Sequence, residues 1–152
     1  MTVGLLGLSA CGQQRDQALG DATQSCANNV ALPTATDNLY VPYAPTLRTP
    51  DDLTLAEVTT LKQSMQTRAR LSAAAAARDE YWQPLADAWA IQEARLNNLE
   101  AAYLRATTEG TALDLSSYRQ FLLDVNVEYS IIMKDTYCRV AITRSGITLR
   151  GS

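Results

Sequence analysis

The fold is decided by residues 82–106, WQPLADAWAIQEARLNNLEAAYLRA. The large side chains of this stretch recur at alternating steps of three and four residues, as do the positions along one face of a helix. They are Trp82, Leu85, Trp89, Leu96, Leu99 and Tyr103, with the polar Gln92 in the same row. The spacing predicts a long amphipathic helix with a coiled-coil seam.

A second helix is predicted directly after the first. Gly110 is placed to end the first helix in the left-handed conformation, and Thr111-Ala112-Leu113-Asp114 has the spacing of a capping box. The next helix, over 114–144, carries apolar residues at the same steps: Leu115, Tyr118, Leu122, Val125, Tyr129 and Ile132. Because the connection is short, we expect the two helices to be antiparallel neighbours.

A further helix is predicted before Pro84. Thr49-Pro50-Asp51-Asp52 has the residue types that begin a helix. Pro84 interrupts the helical pattern that follows, which leaves two arrangements open. The fold class is all-α in both: an antiparallel helical hairpin or a three-helix bundle, with helices over about 50–81, 82–108 and 114–144.

The last residues, 140–150, also have two interpretations. They can extend the final helix, with Gly146 as its stop, or alternate as a small hairpin that turns at Ser145-Gly146. The helical interpretation is favoured because this segment continues directly from the helix that contains Cys138.

Composition limits the classes of function. The 152 residues suffice for one domain, and 47% are hydrophobic, many of them Ala. A net charge of −3, with both signs mixed along the chain, argues against nucleic-acid binding. The chain has no His, the usual general base and commonest metal ligand, and no phosphate-binding glycine loop or nucleophile motif. We therefore expect no enzyme activity, no cofactor and no metal.

The amino-terminal residues Leu8-Ser9-Ala10-Cys11 resemble a bacterial lipobox. The resemblance implies that 1–11 is a lipoprotein signal segment and that Cys11 carries lipid such as palmitate. It also implies a location at the bacterial outer membrane, facing the periplasm or the cell surface. No Lys or Arg precedes Arg15 to form the basic region of such a signal, and one explanation is that the true start lies upstream. The alternative to a lipobox is an ordinary apolar amino-terminal tail with a buried Cys.

Residues 12–49 show no sustained period and contain Pro33, Pro42 and Pro45. They are interpreted as an extended tether. The predicted organisation is therefore a signal-like segment (1–11), a tether (12–49) and a helical domain (50–152).

Three cysteines are an odd number, which in an exported protein indicates one free or modified thiol. If Cys11 carries lipid, Cys26 and Cys138 remain as one disulfide pair in an oxidising compartment. The alternative is two unrelated buried thiols.

The helical part is similar to the hairpin repeat of TolC-like outer-membrane factors of tripartite efflux pumps. The resemblance rests on Ala101-Ala102-Tyr103, Glu109-Gly110-Thr111, Asp114-Leu115, the helix through Leu122, Tyr129 and Ala141, and the closing Leu149-Arg150-Gly151. Members of that family are longer and add strands to a membrane barrel, which this sequence lacks. The resemblance therefore implies a related helical shape.

A second resemblance is to small exported lysozyme inhibitors. Leu96-Asn97 and Lys134-Asp135-Thr136-Tyr137-Cys138 are similar to their Leu-Asn and basic-Asp-x-x-Cys motifs. This resemblance implies inhibition of a hydrolase in the periplasm and a disulfide at Cys138.

The leading hypothesis is a non-catalytic envelope lipoprotein that presents its helical hairpin to another protein. The partner is an envelope or surface-assembly protein, or a second copy of the chain, because one short hairpin covers an apolar seam only in part. The predicted interaction seam consists of Trp82, Leu85, Trp89, Leu96, Leu99, Tyr103, Tyr118, Leu122 and Tyr129.

Overall fold

The computed structural model of the chain describes residues 6–26 and 53–146. These residues form five α-helices and no strand, which confirms the predicted all-α class. The helices are α1 (Leu6–Cys26), α2 (Leu55–Arg78), α3 (Gln83–Glu109), α4 (Ser116–Leu122) and α5 (Val125–Ser145), and a 3-10 turn over Glu80–Trp82 joins α2 to α3.

The four long helices form an up-down-up-down bundle. In this ring, α2 and α5 each pack against both α1 and α3. Each of the four neighbouring pairs of helices is antiparallel, because residues later in one helix contact residues earlier in the other. The contacts are Asp21–Arg78 and Ser25–Arg68 for α1 and α2, Thr59–Glu100 and Arg68–Trp89 for α2 and α3, Gln92–Ser130 and, from the turn directly before α3, Trp82–Tyr137 for α3 and α5, and Cys26–Cys138 and Thr23–Ala141 for α5 and α1. The predicted antiparallel pairing of α3 with the last helix is present.

The fourth member of the bundle, α1, was not predicted. Residues 12–26 were expected to be an extended tether, and that expectation is wrong for this part of it, because they continue α1 to Cys26. Ala18, Ala22 and Cys26, at steps of four, are buried. Small side chains at this spacing let α1 pack closely on the small residues Ser72 and Ala75 of α2, which are also buried. The rest of the predicted tether, 27–49, lies outside the described residues.

Helix α2 begins later than the predicted helix over about 50–81. Its N-cap is Thr54, whose hydroxyl accepts a hydrogen bond from the backbone N–H of Glu57 (3.2 Å). The Glu57 carboxylate accepts one from the N–H of Thr54 (2.7 Å). This reciprocal capping box satisfies two amides that no helical carbonyl reaches. The predicted cap at Thr49–Asp52 lies outside the described residues.

Pro84 marks a break between two helices. Arg78 ends α2, Asp79 accepts a hydrogen bond from the N–H of Tyr81 (3.1 Å), and α3 begins at Gln83 with Pro84 in its first turn. Proline is tolerated there because its missing N–H would have no helical partner. The helix then runs to Glu109, where Gly110 has φ of 62°, as predicted.

The predicted helix over 114–144 is wrong in two respects. Thr111–Asp114 is not a capping box: the N-cap of α4 is Leu115, which makes no side-chain cap hydrogen bond, and Asp114 accepts hydrogen bonds from Ser116, including one from its backbone N–H (2.9 Å). The helix is also broken after Leu122. Asp124 caps the start of α5 by accepting a hydrogen bond from the N–H of Asn126 (2.8 Å). One helix therefore ends and the next begins within three residues.

The last helix continues to Ser145, and Gly146 ends it with φ of 69°. Of the two interpretations of 140–150, the helical one is therefore correct as far as Gly146. The closing residues Leu149-Arg150-Gly151 lie outside the described residues.

Candidate functional site

The predicted interaction seam is the core of the bundle. Seven of its nine residues are buried within the chain: Trp82, Leu85, Trp89, Leu96, Leu99, Tyr103 and Tyr118. Helices α2 and α5 both pack against α3, whereas a two-helix hairpin would supply only α5. Because these side chains are already buried, they are not available to a partner, and the prediction that they form an interaction surface is wrong.

The two remaining seam residues differ from the others. Leu122 is partly buried, and Tyr129 is 58% exposed. A continuous helix through both would have pointed them to the same side, but the break at Asp124 changes the helical phase. After the break, the side chains that face the core are Val127, Ser130, Lys134, Cys138, Ala141 and Ile142.

The break turns an apolar stripe outward. Val125, Tyr129 and Ile132, at steps of four and three, are 72%, 58% and 55% exposed. Thr136, Val140 and Thr143 continue the same side of α5 and line, with Ile132, an open groove of about 660 Å³, whose lining also includes the charged residues Asp135, Arg139 and Arg144. We call the surface made by these six residues the outer face of α5. Apolar residues on the solvent side of a bundle helix are a signature of binding sites.

The predicted disulfide between Cys26 and Cys138 is present. The two Cα atoms are 5.3 Å apart, and the bond joins α1 to α5 across 112 positions of sequence. Cys11 is an exposed free thiol. Two of the three cysteines are therefore bonded inside the bundle, and Cys11 is on the surface.

The thiol of Cys11 lies on a part of α1 that projects from the bundle. Residues 11–17 are all exposed, and Ala18 is the first buried position after them. Asp21 pairs with Arg78 in the last turn of α2, and Arg15 and Asp16 line a pocket with the 3-10 turn. With a rise of about 1.5 Å per residue, Cys11 is about 10 Å along the axis from Ala18.

A polar layer crosses the middle of the bundle. The Gln92 amide donates a hydrogen bond to the hydroxyl of Ser130 (2.7 Å), which donates to the carbonyl of Val127 (2.6 Å). Arg95 donates to the hydroxyl of Tyr118 (3.0 Å). Gln92, Ser130 and Tyr118 are buried, so the layer fixes the register of α3 against its neighbours because a shift would leave buried polar groups unpaired.

Two buried cations lie beside Trp89. The guanidinium carbon of Arg68 is 5.1 Å, and Nζ of Lys134 5.8 Å, from the ring centre. Arg68 also donates to the carbonyl of Ser25 (3.0 Å), and Lys134 pairs with Asp135 (3.1 Å). Burial lowers the pKa of Lys134, and the charges of Arg95 and Arg68 lower it further, while Asp135 acts in the opposite direction.

The residues of the lysozyme-inhibitor resemblance are divided between core and surface. Leu96 is buried and Asn97 is exposed. Lys134 and Cys138 face the core, whereas Thr136 is exposed. These motifs therefore form no continuous exposed surface. In the efflux-factor resemblance, Gly110 is a helix stop and Tyr103 a buried residue that donates to the carbonyl of Leu53 (2.7 Å).

No protein-family model, curated protein or solved structure matches the chain. Among residues 6–26 and 53–146, no helix is long and apolar enough to span a membrane. The same residues contain no group of three or more acidic or cysteine side chains that could hold a metal ion. Two places on the described surface have chemistry that bears on function: Cys11 and the outer face of α5.

Proposed function

We propose that the protein is a non-catalytic lipoprotein of the bacterial cell envelope, anchored through Cys11, whose helical bundle binds another protein. The observation that carries the proposal is the division of the cysteines. Cys26 and Cys138 form a disulfide, which favours an oxidising compartment, and the remaining thiol is the exposed lipobox cysteine.

The position of Cys11 supports the anchor. An acylated amino terminus needs space between the lipid and the folded part, because the chains must enter the bilayer without burying the bundle. The exposed residues 11–17 supply it. One acyl chain gives only marginal attachment, at about 0.8 kcal/mol per buried CH₂ group, so stable anchoring requires the several chains that bacterial lipoproteins carry.

The outer face of α5 supports the binding role. Val125, Tyr129 and Ile132 are each more than half exposed. If this side of α5 bound nothing, polar residues at these positions would make the bundle more soluble, so the apolar residues favour a binding role. A binding surface here leaves the disulfide and the projecting end of α1 undisturbed, since Cys138 faces the core.

The anchor is tested by the intact mass of the protein from the membrane fraction of its native host. We expect a chain that begins at Cys11 and carries lipid. The Cys11→Ser variant should lose the lipid mass and leave the membrane fraction, while its helical content is unchanged because Cys11 is exposed. An unmodified amino terminus, or a Cys11→Ser variant that remains in the membrane, would contradict the proposal.

The binding role is tested by photo-crosslinking in the host. A crosslinking residue replaces Ile132 on the outer face of α5 or, as a matched control, the exposed Ala77 of α2. We expect a specific adduct from position 132, identified by mass spectrometry as an envelope protein or a second copy, and none from position 77. Equal yields at both positions would contradict a binding role for this face.

A further inference from the structure

The outer face of α5 has a distribution of charge that specifies its occupant. Glu128 and Arg139 are both exposed, and they are eleven residues apart, which is about three turns of helix. They therefore lie on the same edge of α5, with the acidic residue near its start and the basic residue near its end.

This arrangement is complementary to itself when two copies of α5 run in opposite directions. A two-fold axis level with position 134 brings Glu128 of one copy next to Arg139 of the other, and the symmetry makes the contact twice. In a parallel pair the two-fold axis would run along the helices, so the edge with Glu128 and Arg139 in one copy would lie opposite the edge without them in the other, and no such ion pair would form. The charges thus select the antiparallel arrangement.

The apolar residues fit the same register. Position 129 of one copy is level with position 139 of the other, one residue from Val140, so Tyr129 packs on Val140. Val125 meets Thr143, and Ile132 meets Thr136. In this arrangement the exposed Val125 and Tyr129 of each copy enter the groove that Ile132, Thr136, Val140 and Thr143 line on the other. Each half of the outer face of α5 therefore covers the opposite half.

We propose that the outer face of α5 is the interface of a homodimer, in which two copies pack antiparallel about position 134. The inference rests on the binding role proposed above and names the partner as a second copy of the chain. It does not depend on the lipid anchor, since the interface contains no residue of α1.

The first test is sedimentation equilibrium of the Cys11→Ser chain over micromolar to millimolar concentrations, which avoids a disulfide through Cys11. We expect a reversible monomer–dimer equilibrium. Ile132→Ser should weaken it about a hundredfold, because two copies of a buried apolar side chain are lost per dimer. Leu104→Ser, at an exposed apolar position of α3, is the matched control and should leave it unchanged.

The charge pair is tested by reversal. Glu128→Arg and Arg139→Glu should each weaken dimerisation about tenfold, because like charges then meet twice. The double variant restores opposite charges in the antiparallel register and should recover most of the affinity. Helical content by circular dichroism confirms that each variant is folded. Failure of the double variant to recover association would overturn the proposed register.

Cysteine crosslinking distinguishes the two directions. In the Cys11→Ser background, a mixture of Tyr129→Cys and Val140→Cys chains should form a disulfide-linked dimer. Tyr129→Cys alone should not, because antiparallel packing separates the two copies of position 129 by about 15 Å along the axis. Rapid crosslinking of Tyr129→Cys with itself would overturn the antiparallel dimer.

The outcomes for the anchor and the dimer are separable. A Cys11→Ser chain that remains monomeric at all concentrations overturns the dimer, even if lipid on Cys11 supports the anchor. A chain that carries no lipid but dimerises with the predicted variant pattern contradicts the anchor and supports the dimer.

Discussion

Cys26 and Cys138 join the first helix to the last, with their Cα atoms 5.3 Å apart. The bond lies where α1 ends, so it holds the terminal turn of α1 against the middle of α5. The hydrogen bond from Thr23 to the carbonyl of Ala141 (3.4 Å) lies one turn away. Together they secure a helix whose buried side chains are mostly small.

We expect the disulfide to supply much of the stability of the bundle. It restricts a loop of 112 positions in the unfolded chain, for which the chain-entropy treatment gives about 4–5 kcal/mol. The double variant Cys26→Ser/Cys138→Ser should lower the free energy of unfolding by that order in urea titrations. Cys11→Ser is the control and should have no effect, since Cys11 is exposed. Equal unfolding midpoints for the parent chain, the double variant and Cys11→Ser would show that the disulfide contributes little.

The hydrogen bond between Gln92 and Ser130 should make a measurable contribution. Ser130→Ala removes the acceptor of a buried amide, and we expect a loss of about 1–3 kcal/mol. Replacing both residues, with Gln92→Leu and Ser130→Ala, should cost less than the sum of the single variants because no buried amide is then left without its acceptor. A double-mutant cycle in urea measures this coupling, and a coupling energy of zero would contradict the role assigned to the pair.

Lys134 should make stability depend on pH above neutrality. Burial lowers the pKa of Lys134 in the folded state. At pH values just below the ordinary pKa of lysine, the unfolded chain therefore binds more protons than the folded chain. The free energy of unfolding therefore rises with pH between the lowered pKa and the ordinary one. At pH values below both, the cost of the buried charge is fully present.

Lys134→Met isolates this effect. Because Met does not titrate, the free energy of unfolding of the variant minus that of the parent chain should decrease as the pH rises from 7 towards 10. Urea titrations at both pH values, in the Cys11→Ser background, measure the difference. A difference that is constant or grows with pH would contradict the direction of the pKa shift.

The capping box at the start of α2 should be worth about 1 kcal/mol. Thr54→Ala removes the hydroxyl that accepts from the N–H of Glu57 and is expected to lower the free energy of unfolding by about that amount. Thr60→Ala is the matched control. Its hydroxyl bonds only to the carbonyl of Ala56 in the same helix, so the change should be near zero or slightly stabilising.

The sequence was most informative where structure is set by neighbouring residues. Gly110 and Gly146 end helices because each adopts a positive φ that other residues rarely adopt. The start of α2 was also encoded locally, in Thr54 and Glu57, although the prediction placed it at Thr49. By contrast, α1 has little apolar periodicity, and helices of this kind are stabilised mainly by packing against neighbours. Only the bundle reveals it as the fourth helix.

The orientation of α5 was decided by tertiary structure. Sequence alone determined that this segment is a helix and that Cys138 is available for pairing. It did not choose which side faces inward, because both sides carry apolar residues. Tyr129 lies nine residues before Cys138, about two and a half turns, so the two point to opposite sides. Once the disulfide and the break at Asp124 hold Cys138 in the core, Tyr129 and its apolar neighbours must face outward.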